Sequence, residues 1–236
     1  NLSKNYSENK AVQNISFKIG ENEIVGLLGP NGCGKTTTIA MLLGLLKPTS
    51  GQILIDGISI ENNRIELLHK MNFISPYIEL PKKLTVKENL VVYSKLYSVK
   101  NFKNRIDYLS DTLRLHDFIN KKTGELSSGQ KNRVNFAKSL INNPSILLLD
   151  EPTASLDPET ADFVRTFLEN YKKEKKISIL LASHNMSEVE RLCASVLMMK
   201  EGKIIDKGTP AELIEKHGRK NLEEVFLKLT RTKYEH

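Results

Sequence analysis

Gly29-Pro30-Asn31-Gly32-Cys33-Gly34-Lys35-Thr36 is the stretch that decides the fold. It fits the spacing G-x-x-x-x-G-K-[ST], and both flanks agree with it. An apolar run over 23–28 precedes it and predicts a buried strand. After it, Ile39, Leu42, Leu43 and Leu46 recur at helical spacing and predict one face of a helix. That helix should begin near Gly34 and stop at 47–51, where a Lys-Pro-Thr-Ser-Gly run interrupts it. Strand, glycine turn and helix in this order make a loop whose backbone N–H groups converge on phosphate oxygens, because glycine puts no Cβ in the way. The positive end of the helix dipole adds to the attraction. Gly29, Pro30, Asn31, Gly32, Cys33, Gly34 and Thr37 then line a nucleotide triphosphate. Lys35 reaches its β/γ-phosphates and the Thr36 hydroxyl ligates Mg²⁺. A chance glycine turn is the bland alternative, and the flanks count against it.

Outward from the loop, strands and helices alternate. Residues 52–57 read as a strand, and 58–83 are mixed, with Pro76 and Pro81 in a loop. Thr85 and Glu88 have capping-box spacing, and from Thr85 to Asn143 the pattern is helical with no clear strand. Residues 145–150 form an unalternating apolar run, as in a parallel strand covered on both faces. A helix over 158–174 and a buried strand over 177–182 follow. A hairpin is expected over 196–205, turning at Glu201-Gly202, and short helices near 210–216 and 221–229. Strand, helix, strand order at both ends implies an α/β core into which the helical stretch is inserted.

The composition is compatible with this. The chain has 236 residues, which at about 150 per domain means one large domain or two small ones. Global disorder is excluded, because apolar runs such as 146–149 need burial. No apolar stretch approaches the roughly 18 residues of a membrane helix, and no secretory opening is visible. Two cysteines, Cys33 and Cys193, do not make a disulfide framework and fit a reducing cytosol. The net charge of +7 permits nucleic acid, anionic lipid or nucleotide partners and selects none of them. The opening residues 1–6 read as the end of an element, so a strand ahead of them is expected to have been lost.

Residues 146–151, Ile-Leu-Leu-Leu-Asp-Glu, are an apolar strand ending in two acids. Acids at the carboxyl end of a parallel strand lie where open α/β sheets bind ligands. Asp150 is expected to hold Mg²⁺ through water, and Glu151 to polarise an attacking water as general base. A helix N-cap formed by acids before Pro152 is the competing reading. Between the loop and these acids lies Leu126-Ser127-Ser128-Gly129-Gln130, and beyond them come Ser155-Leu156-Asp157 and His184. This set, in this order, closely resembles the ATP-binding cassette (ABC) ATPases, the nucleotide-binding domains of ABC transporters. The resemblance covers nearly the whole chain. LSSGQ departs from the commoner LSGGQ by one small residue.

The resemblance implies an α/β P-loop NTPase (RecA-like) core with an antiparallel β subdomain and an inserted α-helical subdomain. In those terms 1–236 is one ABC ATPase domain, with 1–84 and 144–236 as core and 85–143 as the helical signature subdomain. It implies ATP and Mg²⁺ as cofactors. Tyr6 matches the aromatic that stacks on adenine, with a packing tyrosine as the alternative. Ser127, Ser128, Gly129 and Gln130 match the signature that meets the γ-phosphate bound by the opposite subunit. Asp157 matches the acid that communicates between the two sites, and His184 the switch histidine that orients the attacking water. His69, His116, His217 and His236 receive no role. Two cassettes, identical or not, are expected to close head to tail, hydrolyse ATP to ADP and phosphate, and drive a separate integral membrane subunit. The cassette would then sit at the cytoplasmic face of the membrane, with no direct nucleic acid partner. Ser183-His184-Asn185-Met186 and Leu222-Glu223-Glu224-Val225-Phe226 resemble the branch that exports drugs, lipids or polysaccharides. An importer subunit, or a soluble cassette acting on ribosomes or DNA, is the alternative. One cassette without long heptads counts against the soluble form.

Two positions stand out. The family places a Mg²⁺-binding glutamine where this sequence has Pro76, and no glutamine occurs between Gln52 and Gln130. Proline offers neither a side-chain oxygen nor an N–H. Water, a backbone carbonyl, Ser75 or Tyr77 must substitute, with full activity or a looser coupling as the outcomes. Cys33, inside the loop, is expected to have its pKa lowered by the helix dipole, so that a thiol reagent inactivates and ATP protects. A small buried filler is the alternative.

Overall fold

The computed structural model describes residues 1–76 and 78–231. Tyr77 and His236 lie outside the described residues. In chain order the elements are β1 Leu2–Tyr6, β2 Asn9–Ile15, β3 Ile24–Leu28, α1 Lys35–Leu42, β4 Leu54–Ile55, β5 Ile58–Ser59, α2 Arg64–His69, β6 Met71–Ile74, α3 Val86–Leu96 and α4 Phe102–Leu113. They continue with α5 Ser128–Leu140, β7 Ile146–Asp150, α6 Pro158–Lys175, β8 Ser178–Ser183, α7 Met186–Leu192, β9 Ser195–Lys200, β10 Lys203–Gly208, α8 Pro210–His217 and α9 Leu222–Arg231. The chain forms two compact units, one of Asn1–Leu67 with Ser178–His236 and one of Leu68–Ile177.

In the first unit β3 lies between β8 and β9 and is parallel to both, with Ile24 opposite Ile179 and Val25 opposite Ser195. The three strands are apolar on both faces because both faces are buried: Val25, Leu27, Leu180 and Val196 have no exposed surface. Each such side chain contributes about 1.5–3 kcal/mol when withdrawn from water. β10 closes this edge antiparallel to β9, and the hairpin turns at Glu201-Gly202 as expected. β1 and β2 form a separate antiparallel pair.

β1 ends at Tyr6 and is held through Leu2, which is buried and paired with Ile15. Two expectations are corrected here. α1 ends at Leu42 rather than near 47, because Gly44 takes the left-handed conformation (φ +61) and its N–H closes back on the Met41 carbonyl. The strand over 52–57 shrinks to β4, because Asp56-Gly57 turns the chain straight back as β5.

In the second unit β6 and β7 run parallel, from Met71 opposite Ile146 to Ile74 opposite Leu149. α3, α4 and α5 pack on one another, and Val86 and Leu90, Ile106 and Leu109, and Val134 and Leu140 on them are all buried. Among the described residues from Thr85 to Asn143 no strand interrupts these helices. The capping box opens α3: the Glu88 N–H donates to Thr85 Oγ1 at 3.1 Å, and the Thr85 N–H to Glu88 Oε2 at 2.8 Å. Phe136 of α5 meets Phe167 of α6 edge to face, centroids 5.7 Å apart. Among the described residues no helix is long and apolar enough to cross a membrane.

Candidate nucleotide site

The loop between β3 and α1 has the shape its sequence predicts. Gly34 stands at φ +110, and a Cβ there would come within 2.5 Å of the Ala11 carbonyl oxygen. A Cβ on Gly29 would run into the Met199 carbonyl and lie 2.5 Å from Cys33 Sγ. Both positions exclude any side chain. Lys35 is the first residue of α1 and only 6% exposed, an unusual burial for an ammonium group. Its Nζ turns back onto the loop and donates to the Gly29 carbonyl at 2.6 Å and the Pro30 carbonyl at 3.2 Å. One cation is thus stored beside the helix N-terminus, in a loop where Asn31, Gly32 and Thr36 face solvent. That is the charge pattern a polyphosphate requires.

Cys33 does not behave as its place in the loop suggested. Its side chain is buried against Gly29, and burial pushes the thiol up; the nearby Lys35 charge pulls it down, but by less. Burial therefore overturns the lowering expected from the dipole, and the filler reading holds. The tip of the β9–β10 hairpin also reaches this loop: the Gly202 N–H donates to the Cys33 carbonyl at 2.9 Å, and the Gly202 carbonyl accepts from the Gln13 N–H at 2.7 Å. No local signal in the sequence marks that clamp.

Tyr6, at the end of β1, is 47% exposed, and Lys4 Nζ lies 5.2 Å from its ring centroid. His184 follows β8 and is exposed between two fixed neighbours. Ser183 Oγ donates to Glu188 Oε2 at 2.8 Å, with both residues buried, and Asn185 caps α7 by accepting the Glu188 N–H at 3.2 Å. Tyr6, the loop over 29–37 and His184 all belong to the first unit.

The second unit carries the other candidate residues. Asp150 ends β7 and is 2% exposed; Glu151 follows at φ +52. No helix starts at Pro152, so the N-cap reading of these acids falls. The cap of α6 is Asp157, whose carboxylate accepts from the Thr160 N–H at 2.9 Å and Thr160 Oγ1 at 2.7 Å. The Thr160 hydroxyl, then its N–H, hold the Asp157 carboxyl below its ordinary range. α5 begins at Ser128: Ser127 caps it, accepting the Gln130 N–H at 3.2 Å, while Gln130 Oε1 accepts the Ser127 N–H at 3.1 Å. Pro76 follows buried Ser75 after β6 and is exposed.

Sequence comparison decides what these two sets of residues belong to. The ABC transporter family profile matches residues 12–154. The chain belongs to the ABC transporter family. This ABC cassette is 39% identical over 225 residues to the bacitracin transport ATP-binding protein BcrA of Bacillus licheniformis, covering 94% of this chain and 72% of that one. It is 36% identical over 217 residues to a Nod factor export ATP-binding protein I of Burkholderia orbicola, covering 91% and 71%. Among solved structures, the ATP-binding subunit of an ABC transporter superposes with a TM-score of 0.88 at 27% identity, covering 98% of this chain and 97% of that one. A dimeric cassette in a post-hydrolysis state with ADP and Pi superposes with a TM-score of 0.79 at 26% identity, covering 88% and 95%. The cassette therefore has the P-loop NTPase fold, binds ATP and hydrolyses it as a transporter's ATP-binding subunit.

The donors also suit the expected cation. Thr36 and Asp150 supply a hydroxyl and a carboxylate, hard oxygen ligands of the kind Mg²⁺ takes. Among the described residues no group of three or more His, Cys, Asp or Glu is placed to cage a metal. Sequence reasoning missed Asn132, whose Nδ2 donates to the Pro152 carbonyl at 2.9 Å, because an asparagine on a helix announces no such reach.

Proposed function

We propose that this cassette powers an exporter, working as a head-to-tail dimer at the cytoplasmic face of a membrane beneath a separate membrane-spanning subunit. Each unit supplies one observation that carries this: in the first a phosphate loop built around buried Lys35, in the second an acid pair, Asp150 and Glu151, that keeps the general base. A cassette that only binds ATP has no need of Glu151. The name of the Nod factor relative supports the export direction.

In this reading the loop over 29–37 binds the triphosphate of ATP, and exposed Tyr6 stacks on its adenine. Lys35 exchanges its loop carbonyls for phosphate oxygens and stabilises the charge that develops on transfer. Thr36 and Asp150 would hold Mg²⁺, which would supply neutralisation of phosphate charge. Glu151 accepts a proton from the attacking water, and His184 orients that water. Ser127 to Gln130 meet the nucleotide held by the opposite subunit, with the N-terminus of α5 offered to the γ-phosphate. Asp157 serves communication between the sites through the start of α6. The helical segment 85–143 acts as the signature subdomain whose motion drives the membrane partner.

Co-expression with a candidate membrane-spanning subunit tests the assignment. The two should purify together in detergent, and the complex should hydrolyse ATP. A cassette that leaves the membrane fraction and sediments with ribosomes or DNA overturns it. Pro76 bears on coupling. Water can replace the missing amide at Mg²⁺, so Pro76→Gln is expected to change transport per ATP while leaving basal hydrolysis within about twofold. Equal loss of both, measured in vesicles with the partner, contradicts this.

A further inference from the structure

The segment after β7 holds a backbone that needs support. Glu151 and Ser155 stand at φ +52 and +60, a region L side chains rarely adopt. Glu151 also precedes Pro152, whose ring pushes the preceding residue toward extended backbone. Such a conformation persists only where the surroundings over-determine it. Two backbone turns contribute: the Glu151 carbonyl accepts the Ala154 N–H at 3.1 Å, and the Thr153 carbonyl accepts the Leu156 N–H at 3.3 Å. The carbonyl between them, that of Pro152, is taken by Asn132 Nδ2 at 2.9 Å. Asn132 sits on α5, two positions after Gln130 of the signature. Its Oδ1 is buried without a hydrogen-bond partner.

We infer that Asn132 is a positioning residue for Glu151. Its amide ties the signature helix to the loop that carries the general base. Engagement of α5 by the nucleotide of the opposite subunit is thereby felt at the base acting on this subunit's own ATP. The inference rests on the reading of Glu151 as general base, which the Glu151→Gln variant tests separately.

Asn132→Leu keeps the shape and removes the donor; Asn132→Gln keeps the donor. Misplacing a catalytic group by about 1 Å costs up to roughly a hundredfold in rate, so Asn132→Leu is expected to lower kcat by about tenfold or more. KM for ATP and the nucleotide Kd should stay within about twofold, since the phosphate loop is untouched, and Tm should not fall. Asn132→Gln should recover most of the rate. Combined with Glu151→Gln, Asn132→Leu should add no further loss, because the group it positions is already gone. Asn132→Ala withdraws the donor without added bulk and should reproduce the kcat loss even if the leucine variant folds poorly. Wild-type kcat in both donor-less variants, or an equal loss in Asn132→Gln, overturns the inference. If Glu151→Gln itself hydrolyses ATP normally, the reading of Glu151 fails, and the role of Asn132 with it.

Discussion

Glu151→Gln is expected to lower steady-state ATP hydrolysis by about 10²- to 10⁴-fold while leaving ATP binding intact. The amide keeps the length and hydrogen-bonding reach of the side chain but cannot accept the proton of the attacking water. Lys35 and the rest of the phosphate loop are unchanged, so ATP still binds. Two ATP-loaded cassettes then close and lack the step that separates them. The variant should therefore run as a dimer in excess Mg-ATP and as a monomer without it, by size-exclusion chromatography with light scattering. Phosphate release measured on the same sample checks the rate. A variant that stays monomeric in ATP, or turns over near the wild-type rate, removes Glu151 from the role assigned to it.

The second large effect is expected from Lys35→Ala. The ammonium is held within the loop by the Gly29 and Pro30 carbonyls at 2.6 and 3.2 Å, so it is in place before the nucleotide arrives. Its loss removes the charge that meets the β/γ-phosphates both in the bound state and during transfer. Hydrolysis should fall by about 10²- to 10³-fold, the cost of deleting one preorganised electrostatic contact. ATP affinity, read with a fluorescent analogue, should fall by at least about tenfold. The two carbonyls also lose their donor, at about 1 kcal/mol for each net hydrogen bond, so Tm should drop by roughly 4–8 °C. ATP binding at wild-type affinity would show that Lys35 supports the loop rather than the nucleotide.

Much of the fold could be read from the sequence because its signals are local. The capping box at Thr85 and Glu88 involves residues one helical turn apart, and it forms as expected. The run over 145–150 is apolar without alternation because a parallel strand is covered on both faces, and β7 is that strand. The turn at Glu201-Gly202 lies between two apolar runs and closes a hairpin. The expectations that failed were of a different kind. A leucine pattern does not reveal that Gly44 ends α1 early. The dipole argument for Cys33 omitted the burial that outweighs it. The acids at 150–151 could have been a helix cap, and only the start of α6 at Pro158 shows that Asp157 does that work.

The sequence by itself determined the phosphate loop, the strand that ends in Asp150, the signature segment and the family that contains all three. These features lie in short runs whose spacing reflects the geometry of one turn, one strand or one helix. Tertiary structure decided how those runs are held. The Gly202 N–H reaches the Cys33 carbonyl from far along the chain, and Asn132 reaches Pro152 from α5. Partners of this kind are chosen by how the chain packs. Hydrogen bonding to a distant carbonyl leaves no periodic trace in the residues that make it.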